Sequence, residues 1–301
     1  MLRWLVSNYL RQSTKQKVFT AASQFMGGAK QQQTKGESES ESESESPPPQ
    51  AAGPVQPCDV GLVFAIGLES GGLVDLMENT VTTKCHTFIE HSGNIAGRKV
   101  VAIETGEGQQ KTNRAVQDFF TMHRPTWVVS CGFAEGLKPD LQRGDIVMAD
   151  QLIDEKNSEF TTQLHIDRES ISQTAHLHIG RLLTVQANYR TSEQRQSLGA
   201  QYDAIACDLE SMGIATLCAQ HDTQFLAVRI ITDAQSDNPP PEVSGYLQQQ
   251  SLAGKMGAAA GTLFRKPSAL KTMFQLRRSA LKASDRLAKF LSGLVGQLPQ
   301  S

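Results

Sequence analysis

From Pro57 onward the chain alternates short apolar runs with amphipathic stretches. Residues 59–66 (DVGLVFAI) form a continuous apolar run of strand length, the pattern of a strand buried on both faces. Residues 86–92 (HTFIEHS) and 98–105 (RKVVAIET) flank a Gly- and Asn-containing connection and predict an antiparallel hairpin. Ala115, Val116, Phe119 and Phe120 recur at helical spacing and predict a helix over 109–123. Strands are expected at 126–132 (TWVVSCG) and 144–153 (GDIVMADQLI), then a helix over 168–180 and strands at 181–187 and 202–209. A helix over 211–222, a strand at 223–232 and helices over 245–262 and 268–295 complete the reading. This order predicts an α/β fold of three layers, with a mixed, mostly parallel central sheet flanked by helices.

The flanks differ from this core. Residues 1–36 carry six basic side chains and no acid, and the apolar run in MLRWLVSNYL is too short to span a bilayer. That segment suits an interfacial anchor, a disordered basic tail or a start placed upstream of the true one. ESESESESES (37–46) and PPPQAAGP cannot bury a core and read as a linker. Three regions result: an extension over 1–56, a catalytic-sized domain over 57–262 and a basic amphipathic segment over 263–301. In the last, eight basic residues and one acid lie between Arg265 and Lys289, with Leu270, Met273, Phe274, Leu281, Leu287 and Leu291 at helical spacing. Such a helix can lie on an anionic membrane surface through 265–291 or pack on the sheet with a solvated basic face.

A net charge of −2 gives no nucleic-acid signature. Cys58, Cys85, Cys131, Cys207 and Cys218 show no metal-like spacing and read as free thiols in a reducing compartment. His176 and His178, two apart on an expected helix, do not suggest a metal site, and no cofactor is implied.

Three carboxylates stand where apolar runs end: Glu69 after the first strand, Glu210 at a strand-to-helix junction and Asp233 at the end of FLAVRIITD. Strand ends of an α/β sheet are where ligands bind. Acids there suit a bond whose cleavage needs a protonated leaving group and a stabilised cation. The plainer readings are a solvated loop acid for Glu69, a helix cap for Glu210 and a turn residue for Asp233. Arg229, inside an apolar strand, is harder to dismiss, because arginine is rarely buried unpaired. Its spacing of four from Asp233 puts both on one strand face. Gly106 and Gly108 follow a strand and precede a helix, a turn that lets backbone N–H groups approach an anion or sugar.

The residues then point to a family. VGLVFAIGLES, ETGEGQQKTNRA, SCGFAEGLKPDLQRGDIVMAD, CDLESMGIA and AVRIITDAQSD resemble, in order, five motifs of the purine nucleoside phosphorylase/uridine phosphorylase superfamily. Within it the chain resembles the methylthioadenosine/S-adenosylhomocysteine nucleosidases. The resemblance implies hydrolysis of the N-glycosidic bond of an adenine nucleoside. Glu69 would activate water, Asp233 would protonate N7, and Glu210 would hold the ribose hydroxyls. Asp233 would need a proton affinity raised by burial. Arg229 would order the nucleophile or pair with Glu69, and Leu209, Phe133, Ala134 and Tyr189 would help line the pocket with Gly106 and Gly108.

Two departures bear on this. Where the nucleosidase turn is typically TGSAGGL, this chain has CGFAEGL, with Phe133 for a serine and Glu135 for a glycine. That turn and the basic tail also resemble the hopanoid-associated nucleoside phosphorylases, which would make phosphate the nucleophile and a lipid-linked adenosine the substrate. The expected partners are a purine nucleoside, phosphate in the second reading, further copies of the chain and a membrane surface, with a cytoplasmic or peripheral location.

Overall fold

The computed structural model describes residues 55–162, 174–187, 191–238 and 267–299, the side chains of 267–274 excepted. The expected helix over 245–262, the linker and residues 1–54 lie outside the described residues.

Strand β1 (Gln56–Phe64) is the apolar run read from the sequence, buried along its length from Val60 because it has a parallel neighbour on each side. Helix α1 (Gly67–Val74) follows, then β2 (Glu78–Lys84), β3 (Ile89–Ile95) and β4 (Arg98–Glu104). The expected hairpin is β3–β4, and β2 adds an exposed antiparallel edge to it. Helix α2 (Gln109–Met122) leads to β5 (His123–Gly136), a 14-residue strand that runs through the centre of the molecule. Next come β6 (Ile146–Asp154), β7 (Glu159–Thr161), β8 (Leu177–Thr184), α3 (Ser192–Gln201), β9 (Ala206–Asp208), α4 (Ser211–Gln220), β10 (Gln224–Asp233) and α5 (Pro267–Gln297).

The sheet is mixed and has ten strands among the described residues, in the order β10-β6-β8-β9-β5-β1-β4-β3-β2, with β7 beside β6. β4, β1, β5 and β10 are mutually parallel. β5 pairs with β10 along 127–135 and with β9 at Glu135–Gly136, so β5, β10, β6, β8 and β9 close into a ring.

Alternate strand residues feed two apolar clusters. Leu62, Val129, Val228 and Ile230 join Leu68 and Leu73 of α1 and Ala280, Leu287, Leu291 and Val295 of α5. Val63, Val128, Ala227 and Ile231 join Ala115 and Phe119 of α2 and Met212 and Ile214 of α4. These are the outer layers of the three-layer arrangement. Leu137, Leu183, Val185 and Leu209 form a smaller third cluster near α3.

Two local expectations are corrected. Residues 177–180 are strand rather than helix, because β8 pairs in parallel with β6 from Leu177 onward. His176 and His178 therefore both reach Asp145, at 2.8 and 3.0 Å. In α5, Leu287 and Leu291 are fully buried against the sheet and are not available to a membrane. Arg277, Arg278, Lys282, Arg286 and Lys289 stay in solvent, as the packed-helix alternative requires. No helix among the described residues is long and apolar enough to cross a membrane.

Helix α5 is tied to the rest of the fold by more than apolar contact. The Ser284 hydroxyl donates to the Glu69 carbonyl at 3.2 Å and accepts from the Gly72 N–H at 3.2 Å. Arg98 donates to the carbonyls of Val295 and Leu298, and the Trp127 indole to that of Pro299.

Candidate active site

Glu69 sits in the first turn of α1, not in a solvated loop, and is 1% exposed. One carboxylate oxygen accepts the N–H groups of Ala65 and Ile66 at 3.0 and 3.2 Å, folding back over the helix start as a capping acid does. The other accepts the Phe133 N–H of β5 at 2.9 Å. Gly132 makes this fit possible. Its φ is +150°, and a Cβ there would lie 2.7 Å from the Glu69 oxygen. The Phe133 ring itself packs in the core with Cys131 and Ile230, so Phe133 meets Glu69 through its backbone. Burial pushes the neighbouring Cys131 thiol up, which leaves it without nucleophilic character.

Glu210 is the residue before α4, but its side chain makes no cap hydrogen bond there. It accepts instead from the Gly108 N–H at 3.1 Å. Gly108 begins α2 with φ +96°, so the Gly106–Gly108 turn presents its backbone to Glu210. The cap of α4 falls to Asp208, which accepts the Ser211 N–H and the Ser211 hydroxyl.

Asp208 is also the partner of Arg229. The guanidinium meets Asp208 at 2.9 Å from Nε and 2.5 Å from a terminal nitrogen, with both side chains essentially removed from water. It donates further to Ser130 Oγ at 2.6 Å, Ser211 Oγ at 2.8 Å and the Val228 carbonyl at 3.0 Å. The ion pair of Arg229 is thus with Asp208, where the sequence offered Glu69 as one of two roles for it. Asp208 was not picked out from CDLES, although a buried arginine calls for a nearby acid.

Asp233 ends β10 and is 3% exposed. The register against β5 shifts by one residue between Ile231 and Asp233, so even spacing no longer fixes its face relative to Arg229. Its carboxyl is subject to opposing influences. Burial favours the neutral form, while the charges of Arg143 and Arg195 and the Thr232 hydroxyl at 3.1 Å favour the ionised one. Thr232 also donates to the Ala134 carbonyl at 3.4 Å.

These groups converge on one segment of β5. Glu69 binds at Phe133, Arg229 pairs in register with Gly132, and Asp233 pairs in register with Glu135. Ser211, next to Glu210, holds Arg229. Leu209 turns instead into the third cluster, beside Val185 and Cys207. Tyr189 lies outside the described residues. Glu135 and Arg195, which were not assigned a role from sequence, face each other at 3.5 Å beside Asp233.

Residues 59–260 match the family model described as the phosphorylase superfamily. The chain is 24% identical over 217 residues to a 5'-methylthioadenosine/S-adenosylhomocysteine nucleosidase of Marinomonas sp., covering 63% of this chain and 91% of the relative. It is 21% identical over 212 residues to the enzyme of that name from Shewanella sediminis, covering 62% and 91%. The solved nucleosidase of S. pneumoniae, held with a transition-state inhibitor, superposes with a TM-score of 0.59 at 18% identity, covering 80% of this chain and 100% of that one. That of Helicobacter pylori, with butyl-thio-DADMe-Immucillin-A, gives 0.59 at 16% identity, covering 81% and 99%. At such identities the structural likeness speaks for the fold alone, but the family match spans two thirds of the sequence, and the chain belongs to the phosphorylase superfamily.

Proposed function

We propose that this protein hydrolyses the N-glycosidic bond of an adenine nucleoside of the methylthioadenosine or S-adenosylhomocysteine type. The carrying observation is that Glu69 and Asp233 are buried against one β5 segment, at Phe133 and Glu135, while the equally buried Glu210 meets the Gly106–Gly108 turn. Cleavage of a purine glycoside leaves a ribosyl cation and a poor anionic leaving group. Asp233 gives its proton to N7. A bound purine displaces water and offers a hydrogen-bond acceptor, and both favour the protonated form. Glu69, oriented by three backbone N–H groups, takes the proton of the attacking water, a step typically worth about 10²–10⁴ in rate. Glu210 accepts from the ribose hydroxyls and favours positive charge at the anomeric carbon.

Arg229 supports the reading of water as nucleophile. A phosphate would need a cation free to receive it, and this guanidinium is already engaged with Asp208, two serines and a carbonyl. Arg229 then acts as a positioning residue that binds β10 to the start of α4. Lipid-linked adenosine and phosphorolysis remain the competing reading for the substrate and the nucleophile.

The test is adenine release from methylthioadenosine, S-adenosylhomocysteine and adenosine, each with and without phosphate. Release without phosphate supports the hydrolase. A strict phosphate requirement with a sugar 1-phosphate product overturns it. Asp233→Asn is expected to abolish turnover while ligand affinity survives.

A further inference from the structure

We propose that Glu135 and Arg195 form a buried charge pair that sets the proton affinity of Asp233, making them positioning residues for the acid. The inference rests on the reading of Asp233 as the acid, but its test does not.

The geometry comes from the strand register. Glu135 on β5 and Asp233 on β10 are Cα partners, so their backbones lie about 4.8 Å apart, the usual spacing of neighbouring strands. Acids on Cα partners of neighbouring strands repel in a buried sheet unless a cation joins them. Arg195, from α3, is that cation. It is 1% exposed, lies 3.5 Å from a Glu135 oxygen and donates from Nε to the Gln235 carbonyl at 3.3 Å. Gln235 is two residues past Asp233, and its own side chain donates to the Leu137 carbonyl at 2.6 Å, one residue past the end of β5. Arg195 therefore holds both the charge opposite Asp233 and the chain that leaves it.

Thr232 also donates to Asp233, and Arg143, whose guanidinium bonds Asp237 at 2.6 Å and is half in solvent, adds a second positive charge. Arg195 is far better shielded than Arg143, so its attraction for the Asp233 anion is screened less by water. Glu135 opposes it. Without Glu135 the full charge of Arg195 would bear on Asp233 and hold it ionised. Without Arg195, burial and Glu135 together would favour the protonated form against Arg143.

The prediction is a pair of shifts of opposite sign. The Asp233 carboxyl is followed by carbon NMR through a pH titration of the full chain, its signal assigned by loss in Asp233→Asn. Glu135→Gln is expected to lower the Asp233 midpoint by about one pH unit or more, and Arg195→Gln to raise it by a similar amount. The double variant should return near the wild-type value, because it removes one charge of each sign. Should Arg195→Gln fail to fold, the double variant is compared with Glu135→Gln, and the midpoint must again rise. Shifts of the same sign, or none, would overturn the proposal. The titration needs no turnover, so a protein that cleaves no nucleoside still decides it. A protein that loses activity in Asp233→Asn but shows no shifts would keep its acid and lose this pair.

Discussion

Arg229 and Asp208 form a doubly contacted ion pair, at 2.9 and 2.5 Å, inside a sheet where neither side chain meets solvent. Such a pair is a modest source of stability as a whole and a large liability once halved. Asp208→Asn leaves the guanidinium uncompensated and is expected to cost about 3–5 kcal/mol in urea unfolding. Asp203→Asn, at the exposed Lys138–Asp203 contact, should stay within about 0.5 kcal/mol. Equal costs would show that burial does not govern these pairs.

The second prediction concerns two glycines close in space to Glu69. A Cβ at Gly132 would collide with the Glu69 carboxylate, whereas one at Gly71 would meet nothing within 4 Å. Gly132→Ala should reduce adenine release about 100-fold, the order of loss for a reacting group displaced by about 1 Å. Gly71→Ala should stabilise α1 by about 0.5–1 kcal/mol with turnover unchanged. Full activity in Gly132→Ala would remove Glu69 from the chemistry.

Asp145 gives the pH dependence. Its carboxyl is held low: burial acts to raise it, and the Gln142 N–H at 2.9 Å with the rings of His176 and His178 outweighs that. A carboxyl lowered by folding adds stability that is fully present above its unfolded value, about 3.9, and fades as pH falls through the folded value. Asp145→Asn should be about 1.5–3 kcal/mol less stable at pH 7, with a flatter stability curve below pH 4. Parallel curves for the two proteins would dismiss the linkage.

Ser284 bridges the Glu69 carbonyl and the Gly72 N–H from α5. Ser284→Ala leaves the buried Glu69 carbonyl and the part-buried Gly72 N–H without that partner and is expected to cost about 1–3 kcal/mol. If the bridge also aims Glu69, kcat falls while KM holds. A loss of stability with unchanged kcat would confine Ser284 to the fold.

Much of this architecture was legible in the chain. The apolar runs that became β1, β5, β6 and β10 have no polar side to confuse them, and the Phe119 repeat marks α2 clearly. What escaped was fixed by partners distant in sequence. Helix α1 carries glycines at positions 67, 71 and 72, which argue against a helix, and it forms because Glu69 caps its start and α5 packs along it. The edge strand β2 did carry a signal in its β-branched Thr80, Val81, Thr82 and Thr83, which a stricter search for alternation would have caught. For the site, the three acids stood out because each follows an apolar run. Asp208 and Arg195 did not, since nothing local distinguishes a buried charge from a solvated one until its partner is known.

The bridge from Ser284 to Glu69 spans 215 residues of chain. At synthesis rates of about 5–20 residues per second, the ribosome needs roughly 10–40 s to go from one to the other. During that interval α1 lacks the neighbour that pins it, and the apolar face destined for Leu287, Leu291 and Val295 stands open. The nascent chain is therefore inactive and adhesive for most of its manufacture, and an escort that shields that face until α5 emerges would govern how much of the protein reaches its working form.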